Sequence, residues 1–233
     1  MNKETKTSIM LKSGVVAFTL IGVANSVIRS LLAGDGFQSL FYFTLQSNIF
    51  NMLVMAFFLV DAIRRHRGKK TFITPALKVL KYVSLTSVTL TFFVFGLILA
   101  PAISFIYVIS VTSITLHFIA PLLTLADFWL FDRGTASSKN EVWYAFWPPL
   151  AYFAFVMAAT LMGISFPAEN TFVPYFFFDY QRLGWFRIDG NGIGVAYWSL
   201  MIFIIVGVIS YLLWKFKQPK TKQVNPAQEA SHD

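Results

Sequence analysis

Cysteine is absent from the chain. That removes disulfides, thiolate nucleophiles and Cys-ligated metals together. Histidine is nearly absent: His66 falls in a basic stretch, His232 near the C-terminus, and His117 alone inside an apolar run. A membrane haem needs two axial ligands, and one imidazole does not supply them. A His-rich metal site fails on the same count, so neither metal nor cofactor is expected. Charge is scarce too, at 13% of residues, where a soluble domain carries about 25%. The chain has too few charges to cover a water-facing surface. No Gly-rich phosphate loop, internal repeat or soluble domain is legible.

What fills the sequence instead is apolar: 56% of all residues are hydrophobic and 18% are aromatic. The apolar residues form six windows, roughly 10–32, 40–62, 79–100, 105–130, 143–164 and 192–214. Each is long enough at 1.5 Å per residue to cross a hydrocarbon core of about 30 Å. An open sheet would leave backbone groups unsatisfied in lipid, so the expected fold is all-α, a polytopic bundle of six transmembrane helices. Residues 1–217 form this single domain, and 218–233 a polar cytoplasmic tail, disordered over Gln223–Asp233. The first window follows Lys3, Lys6 and Lys12 as a signal peptide's would, but it is long for one and no small-x-small site follows before Arg29. It reads as a retained span.

Lys and Arg set the orientation. With the N-terminus inside, the cytoplasmic segments hold Lys3, Lys6 and Lys12, then Arg64, Arg65, Arg67, Lys69, Lys70, Lys78 and Lys81. Arg133, Lys139, Lys215, Lys217, Lys220 and Lys222 complete that side, sixteen of the nineteen basic residues. Both termini are therefore expected in the cytoplasm. The net charge of +8 follows from this topology and from contact with anionic membrane lipids. No basic cluster is interleaved with a recognisable fold, which argues against a nucleic-acid partner.

Polar residues inside the windows are the candidates for function, because lipid makes each costly unless it is paired or lines a cavity. In the second window Thr44, Ser47, Asn48 and Asn51 share one helical face at i, i+3, i+4 and i+7. In the fourth, Ser110, Ser113, His117 and Pro121 do the same. Ser84, Ser87 and Thr91 form a weaker stripe on the third. Such stripes also serve as interhelical glue, worth about 0.6 kcal/mol per hydrogen bond, and for the third window glue is the preferred reading. His117 is the only side chain in the windows that ordinarily titrates near neutral pH. Asp61 and Asp127 sit near inner helix ends, where ion pairing with basic loops accounts for them. Asp127 is about 15 Å along the helix from His117, too far to orient that ring. Arg29 lies near the outer interface, where snorkelling explains it; holding a lipid or fatty-acid carboxylate is the functional version.

The outer segment 165–191 is long and aromatic, with Phe166, Phe172, Tyr175, Phe176, Phe177, Phe178, Tyr180, Trp185 and Phe186. Pro167, Pro174 and Gly184 break it too often for it to span. It reads as an interfacial aromatic belt or as the cap of a lipid-accessible cavity, and the two are compatible.

Phe43-Thr44-Leu45-Gln46-Ser47-Asn48, His117 followed by Pro121 and Asp127, and Phe172-Val173-Pro174-Tyr175-Phe176 together resemble the androgen-induced membrane protein family, which includes bacterial six-span relatives. The resemblance covers most of the chain in topology but only three short motifs in residues. It implies the plasma membrane of a bacterium. Eukaryotic members hydrolyse fatty acid esters of hydroxy fatty acids with a Thr nucleophile and a His, and Thr44 and His117 match those positions. The His117–Pro121 spacing is one residue shorter than the eukaryotic pattern, and the Ser47, Asn48 and Asn51 face is richer than that pattern requires.

Two functions follow. One is a lipid-ester hydrolase in which His117 takes the Thr44 proton, with Ser47 or Asn48 as oxyanion donors and Asn51, Ser113 and Arg29 lining the substrate site. The other is a non-catalytic protein that binds or moves a small amphiphile through the same polar interior. Thr44 lies near the outer end of its window and His117 nearer the middle of its own, a mismatch that makes Ser47 a rival nucleophile.

Overall fold

The computed structural model describes residues 3–135, 138–164, 173–190 and 192–219. Phe166, Pro167, Phe172, Lys220, Lys222 and the tail Gln223–Asp233 lie outside the described residues. Six helices are long and apolar enough to cross a membrane: Thr5–Leu32, Phe43–His66, Pro75–Ala102, Val111–Phe131, Asn140–Leu161 and Val195–Lys217. The protein is an all-α integral membrane protein with six spans, numbered one to six in that order. Span one packs on spans two and four, span two on span three, and span six on spans three and five.

Helix starts follow local chemistry. Span three opens on Pro75 behind Thr74, whose hydroxyl accepts from the Leu77 amide at 3.3 Å; proline suits the first turn because its missing N–H has no partner there anyway. Residues 105–110 were expected inside span four. Instead Ser104 caps a single turn, Phe105–Val108, and Ser110 caps a new start, accepting from the Ser113 amide at 3.3 Å. Two serine caps six positions apart stop one helix and begin another. Span five is interrupted at Ala145–Phe146 and restarts at Trp147 ahead of two prolines.

Two spans contain wide π-helical turns, Phe95–Leu99 in span three and Ile114–Ile119 in span four. Each inserts an extra residue into the helical register, so side chains beyond it point where a regular α-helix would not send them. Span one approaches span four most closely at Gly22. A Cβ there would lie 2.3 Å from Thr115 Oγ1 and 2.6 Å from the Leu116 side chain.

Lys12, Lys81 and Lys217 do more than mark the basic side. Lys12 and Lys81 are buried against Asp127, Lys81 at 2.7 Å, and Lys81 also meets Asp132 at 2.6 Å. Lys217 pairs with buried Glu141 at 2.7 Å. Asp61 is held by Arg65 at 2.9 Å and by the Thr71 hydroxyl and Phe72 amide. These pairs tie the helix ends on the side opposite Thr44.

The described part of the outer segment folds back onto the bundle. Val173, Phe177, Phe178 and Leu183 are buried against Tyr152, Val156 and Val195. Asp179 caps the turn Tyr180–Leu183, which ends at Gly184 with φ +66°. Carbonyls of this segment then satisfy the first amides of span six: Val195 donates to Gly184 at 3.0 Å and Ala196 to Trp185 at 3.0 Å. Backbone donors that would otherwise be orphaned at a helix start thus fasten the segment in place.

Candidate functional site

Thr44 is the second residue of span two and His117 sits in the π-helical turn of span four. Their side chains meet: Thr44 Oγ1 is 3.2 Å from His117 Nε2. The expected mismatch in depth disappears because span four starts at Val111, so His117 is only six residues from its outer end.

The proton positions in this pair follow from its neighbours. His117 Nδ1 lies 3.2 Å from the Ser113 carbonyl. A carbonyl oxygen only accepts, so Nδ1 carries the hydrogen and Nε2 presents its lone pair. Thr44 therefore donates its hydroxyl hydrogen to Nε2. Phe95 lies flat on the other side of the arrangement, stacked on the imidazole with centroids 3.6 Å apart and planes inclined by 12°. Both rings belong to π-helical turns. The two irregular turns face each other and fix the plane of the base.

Tyr175, from the outer segment, completes the cluster. Its hydroxyl lies 3.4 Å from Thr44 Oγ1 and accepts from the Thr44 amide at 3.4 Å. Since the Thr44 hydrogen is committed to His117, the Tyr175 hydrogen points at Thr44 Oγ1. The ring is held edge-on by Tyr42 and stacked on Phe177. Burial pushes the Tyr175 phenol up to about 12, so the hydroxyl keeps its proton.

The remaining candidates have other partners. Asn48 spends both amide hydrogens on carbonyls, Thr44 at 2.8 Å and Leu116 at 3.0 Å. It joins spans two and four beside the pair and has no hydrogen left for an oxyanion, contrary to the expected role. The Ser47 hydroxyl is engaged with the Thr44 carbonyl at 3.2 Å and Thr91 at 3.0 Å. Neither is a base, so the rival nucleophile has nothing to activate it. Asn51 bridges Thr124 at 2.8 Å and Ser84 at 3.2 Å. Ser113 serves through its carbonyl, while its buried hydroxyl has no hydrogen-bond partner among the described residues. Ser87 and Thr91 bond back to carbonyls four residues earlier, as glue-type residues do. Arg29 is exposed and lines a separate polar cleft with Asn25, Ser104, Tyr107 and Ser110.

A cavity of about 50 Å³ opens beside Thr44 and Tyr175, walled by Phe43, Val94, Phe95, Tyr152 and Phe178. Thr44, Thr91 and the two tyrosines supply its few polar atoms; the rest is apolar. His117 does not line it but touches two residues that do, Thr44 and Phe95. That space holds a few methylene groups or waters. Among the described residues no three His, Cys, Asp or Glu side chains gather closely enough to hold a metal ion.

Sequence reasoning included Tyr175 in an aromatic run without giving it a role. Its signal was a polar-tipped ring beside Pro174 in a segment too apolar to leave the membrane surface. No family model, curated protein or solved structure matches this chain.

Proposed function

We propose that the protein hydrolyses hydrophobic esters within the bilayer, in the plasma membrane of a bacterial cell, with Thr44 as nucleophile and His117 as general base. The observation that carries this reading is the 3.2 Å contact between Thr44 Oγ1 and His117 Nε2. With the Ser113 carbonyl 3.2 Å from Nδ1, the ring is oriented to accept the Thr44 hydrogen, which is the arrangement an activated hydroxyl requires. The apolar cavity on the open side of Thr44 suits an ester group with its first methylenes, and membrane lipids are the surrounding source of such groups. The three short motifs shared with the androgen-induced membrane protein family support the same two roles.

In the acylation step Thr44 Oγ1 bonds to the ester carbonyl carbon while its proton passes to His117 Nε2. Collapse of the adduct breaks the bond to the alcohol oxygen, which takes that proton. Water then attacks the acyl-threonine, giving its proton to His117, and the free acid leaves as Thr44 regains its hydrogen. The balance needs only water.

The second reading is an amphiphile-binding protein without chemistry. It is favoured by one feature: His117 does not itself line the cavity. The test is direct. Purified protein incubated with a fluorophosphonate probe should gain one adduct, found at Thr44 by peptide mass spectrometry, and should release acid from a medium-chain fluorogenic ester. Binding of that ester with neither adduct nor acid leaves the amphiphile reading in its place.

A further inference from the structure

An alkoxide-like oxygen in an apolar cavity needs hydrogen-bond donors, because lipid and aromatic rings supply none. Asn48 and Ser47 are spent elsewhere. Two donors are in contact with each other beside Thr44 Oγ1. One is the Thr44 amide, in the first turn of span two where the backbone N–H groups have no helical partner and Tyr42 provides no side-chain cap. The other is the Tyr175 hydroxyl. In the resting structure the amide donates to the Tyr175 hydroxyl at 3.4 Å and the hydroxyl lies 3.4 Å from Thr44 Oγ1, long contacts that a better acceptor displaces.

Resting on the hydrolase reading, we infer that Tyr175 is a catalytic residue: its hydroxyl and the Thr44 amide together form the oxyanion site of the reaction. When Oγ1 bonds to the carbonyl carbon, the π pair moves onto the carbonyl oxygen. That oxygen then sits two bonds from Oγ1, one beyond the carbonyl carbon, on the side of the cavity where both donors lie. The nucleophile's own amide is a recurrent oxyanion donor in acyl-transfer enzymes. The phenol is suited to the partner role because it keeps its hydrogen at neutral pH. The helix start adds a partial positive charge at the same point. The catalytic centre is then assembled from spans two and four together with the outer segment.

The experiment compares full-length wild type with Tyr175→Phe in detergent or nanodiscs, using the fluorogenic ester, the fluorophosphonate probe and a trifluoromethyl ketone analogue of the acid. Phenylalanine keeps the ring contacts with Tyr42 and Phe177, so the outer segment stays docked. The expected result is a fall in kcat of roughly 100-fold or more with KM changed little, and weaker ketone binding in proportion to the loss in kcat/KM. Site-specific fluorotyrosine at position 175 gives a second readout that keeps the hydroxyl: kcat should follow the acidity of the phenol. Tyr175→Phe turnover within a few-fold of wild type, or a fall in kcat with ketone affinity unchanged, overturns the assignment while leaving Thr44 and His117 standing. If wild type itself neither turns over nor labels at Thr44, the hydrolase reading fails and this inference with it.

Discussion

The reactivity proposed for Thr44 turns on one proton and on the group that receives it. His117→Ala removes that receiver, and turnover should fall at least about 100-fold while the helix content measured by circular dichroism stays the same. Thr44→Ser keeps the hydroxyl and loses a methyl, so ester release should persist; Thr44→Ala should abolish both release and probe labelling. Full hydrolysis by Thr44→Ala would remove the nucleophile from the scheme. At the other end of the bundle, Asp127 is fully buried between Lys12 and Lys81. Asp127→Asn takes from Lys12 its paired carboxylate, leaving the Ser8 hydroxyl, the Phe131 ring and the weaker influence of Asp132, opposed by Lys81. An orphaned buried charge costs about 3–5 kcal/mol, and thermal unfolding in detergent should show a marked drop in the melting temperature. Adding Lys12→Met should recover part of it. Of these residues, Thr44 and His117 were legible through motif resemblance, since neither spacing nor periodicity on two separate helices says that they touch. Asn48 and Ser47 were named for the right face, but which hydrogens they spend depends on contacts across helices. A buried Lys12 looked like one more positive-inside residue, because hydropathy does not register its partner 115 positions away.

Helices were readable wherever a long apolar run decided them, since backbone groups in lipid leave no other structure. What periodicity misses is the break in regularity. The serine caps at Ser104 and Ser110 shorten span four at its outer end, and this shift brings His117 level with Thr44. The π-helical turns at Phe95–Leu99 and Ile114–Ile119 carry no sequence signature at a period of 3.6, yet they stack Phe95 on His117. Span one is the element that presses on this region, through Gly22 against Thr115 and Leu116. A small residue at such a crossing lets two helices approach closely. Gly22→Ala should therefore force span one outward or distort the turn that holds His117. We expect a destabilisation of about 1–3 kcal/mol from overpacking, with ester hydrolysis reduced further than stability alone explains. An alanine variant with unchanged melting temperature and unchanged rate would show that span one leaves the turn undisturbed.

Over the whole molecule, the site lies near one surface and the buried ion pairs near the other. Thr44 begins span two, His117 lies in the first turns of span four, and the outer segment carrying Tyr175 joins spans five and six. Lys12, Lys81, Asp127 and Glu141 lie at the opposite helix ends. Even span number puts the ends of the bundle's first and last helices on one side, and the bias in Lys and Arg assigns that side to the cytoplasm. The site then faces the outer leaflet. The absence of cysteine makes this testable on the protein purified after labelling, because any thiol introduced is the only one in this sequence. Gly190 stands in open space with an ordinary backbone conformation, so Gly190→Cys is tolerated without strain; Lys69 is exposed in the connection between spans two and three. In intact cells a membrane-impermeant maleimide should label Gly190→Cys and leave Lys69→Cys untouched, and permeabilisation should expose the second. The reverse pattern would turn the protein over, placing the Thr44 site in the inner leaflet and the sixteen basic residues outside, against the charge rule that fixed the orientation. Labelling of both in intact cells would mean a bundle inserted in two orientations, and ester hydrolysis would then be divided between the two membrane faces.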